Sequence, residues 1–198
     1  NVALGSYAGN SLTSGTLSVF IGGHAGGGAS ISGDNNVGIG YSALNQVTTA
    51  NNNVAIGSYA GDAVSTGADN TALGYAALST CATGTRNTAL GRYALNLGTG
   101  NDNTAVGYGC MENVSTGVSN TAVGKGALDA NTTADYNTAV GQNAAGANST
   151  GTRLTAIGTG SLNSGTTGSD NTTVGYDSGG SITDGDDNTA VGSLALDA

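Results

Sequence analysis

The sequence predicts an all-β fold, a repetitive parallel β-solenoid or β-roll of twelve coils of about 17 residues each. Three observations predict it. Glycine recurs at positions 5, 22, 40, 57, 74, 91, 107, 124, 141, 158, 175 and 192, separated by 17 residues in nine of eleven intervals, by 18 in one and by 16 in one. The residues just before each of these glycines alternate with a period of two, which is the periodicity of a strand. A unit this short cannot hold two helices and their turns, as the helical repeats of about 34 residues do.

With the opening Asn as column 1 and the recurrent Gly as column 5, the elements follow in order. Column 1 is Asn in ten copies, Ser18 and Leu154 being the exceptions. Asn103, Asn120 and Asn137 are expected to stack as a buried ladder, hydrogen-bonded along the array. Column 2 is β-branched throughout, Val in the first four copies and Thr from Thr71 to Thr189. Column 3 is Ala except at Phe20, Gly38 and Thr173, and column 4 is always aliphatic, as at Val106, Val123 and Val140. Columns 2 to 4 make the first strand. Gly107, Gly124 and Gly141 in column 5 let the backbone bend, and columns 6 to 9 read as a second short strand. Column 8 is always small and column 9 commonly Leu, as at Leu78 and Leu95; pairs such as Thr66-Gly67 then close the coil with a turn. The twelve copies fill residues 1–198 as one array with no linker or second domain. Neither end shows a polar cap, so the array reads as a window from a longer fibre.

Columns 3 and 4 are adjacent and so point to opposite faces of the strand, and both are apolar. A single thin coil has one interior, so the other face calls for cover by a neighbouring chain. Self-association is the expectation. The Thr column shares a face with the aliphatic column and is expected to be buried, against an ice-binding role.

Composition narrows the functional classes. The chain has 36 Gly, no Pro, no Trp, and only 9% charged residues, with a net charge of −9 from 13 acids and four bases. Such a chain lacks the basic footprint that nucleic acid requires. It has no apolar run long enough to span a membrane as a helix. Cys81 and Cys110 occupy non-equivalent columns with no metal-ligand spacing, which argues against a disulfide framework.

The phrases NTALGYAAL (70–78), NTALGRYAL (87–95) and NTAVGKGAL (120–128) resemble the head repeats of trimeric autotransporter adhesins. They also resemble the NTAxGxxAL arrays of bacterial surface proteins and phage tail fibres. The resemblance runs the length of the chain, although the adhesin-head period is shorter than 17. It implies a trimeric, fibrous, extracellular assembly on a cell surface or virion.

No constellation of catalytic residues breaks the pattern, and a non-enzymatic role is expected. The only histidine, His24, shares its column with Tyr7, Tyr59 and Tyr93 and reads as a packing residue. Asp186-Asp187 and the equivalent Asp102 and Asp170 read as a row of turn residues rather than a glycosidase pair. No cofactor is expected. Acidic turns such as GTGNDN (98–103) are where calcium would bind if it binds at all. Tyr41, Tyr75, Tyr108 and Tyr176 in column 6, with Tyr7, Tyr59 and Tyr93 in column 7, are the candidate surface contacts, able to stack on sugars or dock a cell-surface glycan or receptor. Their simpler role is to stiffen the stack. Sequons occur at Asn113, Asn131, Asn148 and Asn171. The function expected is a structural fibre segment that presents a binding region away from a surface; the rival is a solenoid that binds calcium, glycan or ice.

Overall fold

Three extended residues open each coil, and their alternation sets the cross-section of the molecule. In the computed structural model, which describes residues 1–165 and 167–197, these triplets are strands β1 (Val2–Leu4), β2 (Val19–Ile21), β3 (Val37–Ile39), β4 (Val54–Ile56), β5 (Thr71–Leu73) and β6 (Thr88–Leu90). The series continues with β7 (Thr104–Val106), β8 (Thr121–Val123), β9 (Thr138–Val140), β10 (Thr155–Ile157), β11 (Thr172–Val174) and β12 (Thr189–Val191). They form one parallel sheet in sequence order, β2 to β11 each paired with the coil before and after and β1 and β12 at the edges. Every pairing is column on column, as in Thr104↔Thr121, Ala105↔Ala122 and Val106↔Val123. The chain is an all-β parallel solenoid, and each coil is built from consecutive residues of one chain.

Columns 6 to 9 are turns, not the second strand that their alternation suggested. The column-8 N–H closes a turn onto the column-5 carbonyl, as from Ala94 to Gly91 at 3.2 Å. Columns 7 and 9 are left-handed, with φ of 59° at Tyr93 and 48° at Leu95. The turns nevertheless stack as regularly as the strands. The Gly107 N–H donates back to Leu90 at 2.8 Å, Tyr59 back to Tyr41 at 2.8 Å, and Leu95 forward to Cys110 at 2.9 Å. Non-Gly residues in this conformation cost about 1–2 kcal/mol each. A buried Leu side chain contributes about 1.5–3 kcal/mol. Leu78, Leu95 and Leu128 are fully buried, so packing offsets the backbone strain at column 9.

Column 3 points inward. Ala105, Ala122 and Ala139 are buried against the column-8 alanines and column-9 leucines. The exceptions in this narrow core compensate one another. Phe20 stands where most coils have Ala, and its ring fills the space that side chains at Gly26 and Gly38 would occupy: a Cβ there would lie 2.5 Å and 3.1 Å from Phe20 Cδ1. Where column 8 turns polar, the side chain donates to the column-3 carbonyl of the next coil, Cys110 Sγ to Ala122 at 3.3 Å and Ser178 Oγ to Ala190 at 2.9 Å. Both cysteines are buried and free, and burial pushes their thiols up, to about 11 for Cys81 and about 12 for Cys110.

The column-1 asparagines from Asn36 to Asn171 are buried and joined from coil to coil. Asn103 Nδ2 donates to the Gly117 carbonyl of its own coil at 2.8 Å, closing the loop, while its Oδ1 accepts the backbone N–H of Asn120 at 3.0 Å. Asn120 repeats this with Ala134 at 2.9 Å and Asn137 at 3.0 Å. Each side chain thus satisfies one carbonyl within the coil and one N–H in the next, groups that would be costly to bury unpaired. Leu154 accepts no such bond, although its own N–H still reaches Asn137 Oδ1 at 2.9 Å.

Two substitutions test this frame. Asn120→Leu should cost about 1–3 kcal/mol by orphaning the buried Asn137 N–H, whereas the Ala134 carbonyl keeps its bond from Asn131 Nδ2 at 3.2 Å; urea denaturation measures the loss, and hydrogen exchange should speed up at the Asn137 amide. Gly107 has φ of 139° and a Cβ there would sit 2.5 Å from the Gly124 carbonyl oxygen. Gly107→Val should therefore cost at least about 3 kcal/mol, from backbone strain and overpacking together, read in the same titration.

Candidate functional site

With column 3 turned inward, columns 2 and 4 project outward side by side along the whole sheet. The Thr column is therefore not buried in this chain, contrary to the expectation. The residue alternation that sends Ala105 into the core sends its neighbours Thr104 and Val106 out. Leu73 is 48% exposed, Ile157 39%, and Val123 and Val140 37% each. No charged residue occupies either column. The result is a narrow, uncharged, ladder-ribbed strip along the twelve-stranded sheet.

The second surface is aromatic. The left-handed turn at column 7 brings column-6 and column-7 side chains of successive coils into one line, so the two tyrosine columns merge. Tyr7 stacks on His24 at 5.1 Å between centroids, and His24 meets Tyr41 edge-on at 5.8 Å. The edge-to-face series continues through Tyr59, Tyr75, Tyr93 and Tyr108 at separations of 5.4, 5.9, 5.6 and 6.5 Å. The Arg92 guanidinium lies over the Tyr93 and Tyr75 rings, at 4.8 and 5.4 Å from their centroids, and bonds the Tyr93 hydroxyl at 3.4 Å. Tyr176 is not part of this wall; it stands coils away beside Asp177, whose carboxylate raises its phenol.

Next to the wall runs column 10, which the sequence reading passed over. It is polar in most coils, as at Asn45, Asp62, Ser79, Asn96, Glu112 and Asp129. That recurrence was the available signal. Tyr59, Tyr75 and Tyr93, with Asp62, Ser79 and Asn96, line a groove of about 400 Å³ that Ala63, Ala76 and Thr80 complete. Ser79 Oγ bonds Asn96 Oδ1. The buried atoms Asn45 Oδ1 and Asp62 Oδ1 have no hydrogen-bond partner among the described residues. Burial raises the Asp62 carboxyl above the usual aspartate range, with the Asn45 amide opposing the shift. Glu112 and Asp129 are raised as well, by burial first.

The remaining acids line the opposite turn. Column-16 carboxylates and amides accept the N–H of the same column one coil back, as Asp186 does from Ser169; Asp34, shifted to position 17 by the extra residue of its coil, does the same for Thr16, each at 2.7 Å. These bonds with Thr16 hold the Asp34 carboxyl below its ordinary value. The residue just before column 1 is left-handed, φ being 61° at Asp102 and 60° at Asp170, a conformation that Asp tolerates. Asp102 and Asp170 pair with Arg86 and Arg153 at 2.6 Å. Among the described residues no three His, Cys, Asp or Glu side chains gather as a metal site. Of the sequon residues, Asn131, Asn148 and Asn171 are buried, and Asn113 is exposed.

No family model matches the chain, and neither does any curated protein or solved structure.

Asp62 makes a direct test of the groove electrostatics. A carboxyl whose folded pKa is raised contributes stability below its unfolded pKa, and that contribution is lost as pH rises through the folded value. At pH 7 the charge is therefore a burden. Asp62→Asn should raise the melting temperature at pH 7, and this advantage should vanish below about pH 4, where the unfolded aspartate also binds a proton. Thermal melts of both proteins across that range give the difference directly.

Proposed function

We propose that this chain is a segment of an extracellular structural fibre, a filament, adhesin shaft or phage tail fibre, in which copies of the chain associate through the outward face of columns 2 and 4. The observation that carries the reading is that face: uncharged, unbroken over twelve strands, and ribbed at the coil spacing. Eleven steps of about 4.8 Å make a strip about 53 Å long, and two outward columns make it about 10 Å wide. That is roughly 500 Å² per copy, at the lower end for a specific pair, and every further coil enlarges it. A partner that fits must present the same uncharged ribs at the same spacing, and a second copy of this chain does. The resemblance of NTALGYAAL and NTAVGKGAL to trimeric adhesin repeats supports a threefold arrangement, in which each face serves two neighbours. The role is mechanical. Continuous backbone ladders and an alanine-packed interior make a stiff rod that holds a binding region away from a surface.

The outward Thr ladder supports one rival, an ice-binding face, and the two make opposite demands. A self-association face must be covered in solution, whereas an ice-binding face must stay open. Sedimentation velocity at micromolar concentration should show an oligomer, with three copies expected. Val106→Asp with Val123→Asp should leave a folded monomer, because each adds a charge to an uncharged contact strip, and association should weaken at least about tenfold. A monomeric wild-type chain with thermal hysteresis would replace this reading with ice binding; a monomer without it would overturn both.

A further inference from the structure

The fibre reading leaves the groove beside the aromatic wall without a role. We propose that this groove is a binding site for a neutral oligosaccharide, with successive sugar rings packed against Tyr59, Tyr75 and Tyr93 and their hydroxyls directed at Asp62, Ser79 and Asn96. The inference is independent of self-association, because the groove is built from columns 6 to 11 and the association face from columns 2 and 4.

The groove has the two components that sugar recognition needs. A pyranose presents a face of C–H groups and a rim of hydroxyls; aromatic rings with electron-rich faces suit the first and fixed polar side chains the second. Here the rings recur at 5.4 to 5.9 Å, once per coil, a step comparable to one sugar unit. Successive rings are nearly perpendicular, at 76° to 84°, so a glycan laid along the array would meet a ring at every coil, presented as a face and as an edge in alternation. The polar rim follows the same step, since Asp62, Ser79 and Asn96 all come from column 10. The wall is also preorganised. Edge-to-face contacts fix each tyrosine against its neighbours, and Arg92 braces Tyr75 and Tyr93. Rigid aromatic anchors lose little conformational entropy on binding.

Two features narrow the ligand class. Asp62, Ser79 and Asn96 set carboxylate, hydroxyl and amide oxygens along the groove, with the Asn45 amide beside Asp62, so a ligand rich in hydrogen-bond donors suits this rim. Sugar hydroxyls are such donors. The competing occupant of aromatic-lined grooves, a proline-rich peptide, has no N–H at its prolines and brings only acceptors. Nor can an extended peptide add as a strand, because backbone N–H groups at the groove are already bonded to neighbouring coils, Tyr93 to Tyr75 at 3.0 Å and Ala63 to Ser79 at 2.9 Å. Acidic glycans are disfavoured by Asp62 itself, by Glu112 and Asp129 further along the same column, and by the net charge of −9.

The test is isothermal titration calorimetry of the assembled protein at pH 7 with cellohexaose and chitohexaose, alongside polygalacturonate and poly-L-proline. One or both neutral hexaoses should bind. Tyr75→Ala should weaken that binding at least about tenfold, while Tyr75→Phe, which keeps the ring, should stay within about threefold of wild type. Tyr136→Ala, an exposed tyrosine outside the wall, should change nothing. Melting temperatures separate lost binding from lost folding; if Tyr75→Ala unfolds the wall, Asp62→Asn, which leaves the rings in place, should still weaken binding by about threefold or more. The proposal is overturned if neither hexaose binds at millimolar concentration, if Tyr75→Ala binds as wild type does, or if poly-L-proline or polygalacturonate binds more tightly. Sedimentation of the same samples reads the association state, so a failure of either idea is seen on its own.

Discussion

The structure depends on one requirement: every coil must repeat the backbone path of the coil beneath it. Strand and turn alike are held by N–H groups that reach carbonyls in the adjacent coils, so a coil that strays leaves two neighbours with buried, unpaired groups. Column 5 shows how tight the requirement is. Gly107 lies close enough to Gly124 that no side chain fits between them, and the same contact recurs from Gly5 to Gly175. The asparagine ladder answers the same demand from inside. It ties the end of each coil to its beginning and each coil to the next, with one side chain doing both.

Once the path is fixed, the columns divide the work. Columns 1, 3, 8, 9 and 12 fill the interior, the last with Val47, Val64, Cys81 and Val114; columns 2 and 4 face outward, columns 6, 7 and 10 form the aromatic wall with its polar rim, and column 16 supplies hydrogen-bond acceptors to the far turn. Variation in coil length is confined to that far side. The 18-residue and 16-residue coils differ from the rest between columns 11 and 16, while β2 to β3 and β6 to β7 pair in the same register as all others. The outer strip and the tyrosine line therefore keep their register across both irregular coils.

Much of this was legible in the residues, and the failures have physical causes. Spacing alone gave the coil, its strand triplet and its parallel stacking, because a fixed period with identical columns leaves few ways to pair. The direction of the triplet was not legible from polarity, since Ala and Val are both apolar. Size held the clue: column 3 admits only Ala apart from exceptions that neighbours accommodate, whereas column 4 is never small. Columns 6 to 9 were misread as a strand because alternating small and large residues imitate strand periodicity. Their mixed membership pointed elsewhere. Gly61, Gly109 and Gly126 share columns with Leu78, Tyr93 and Asn143, as expected of positions that require positive φ. The merging of two tyrosine columns into one wall, and its pairing with column 10, needed the three-dimensional turn to become visible.

Phe20 carries a consequence for how such an array can change. Its ring occupies volume ceded by Gly26 in its own coil and Gly38 in the next, so these residues form a set rather than three independent choices. Thr173 and Gly179 make a smaller set of the same kind. A repeat array looks like interchangeable parts, yet these coils carry addresses. Moving the second coil elsewhere, or duplicating it without the third, would bring Phe20 up against an alanine methyl that has no room for it. Growth and recombination of the array are therefore free among the alanine-cored coils and constrained where a bulky side chain has been accommodated by its neighbours.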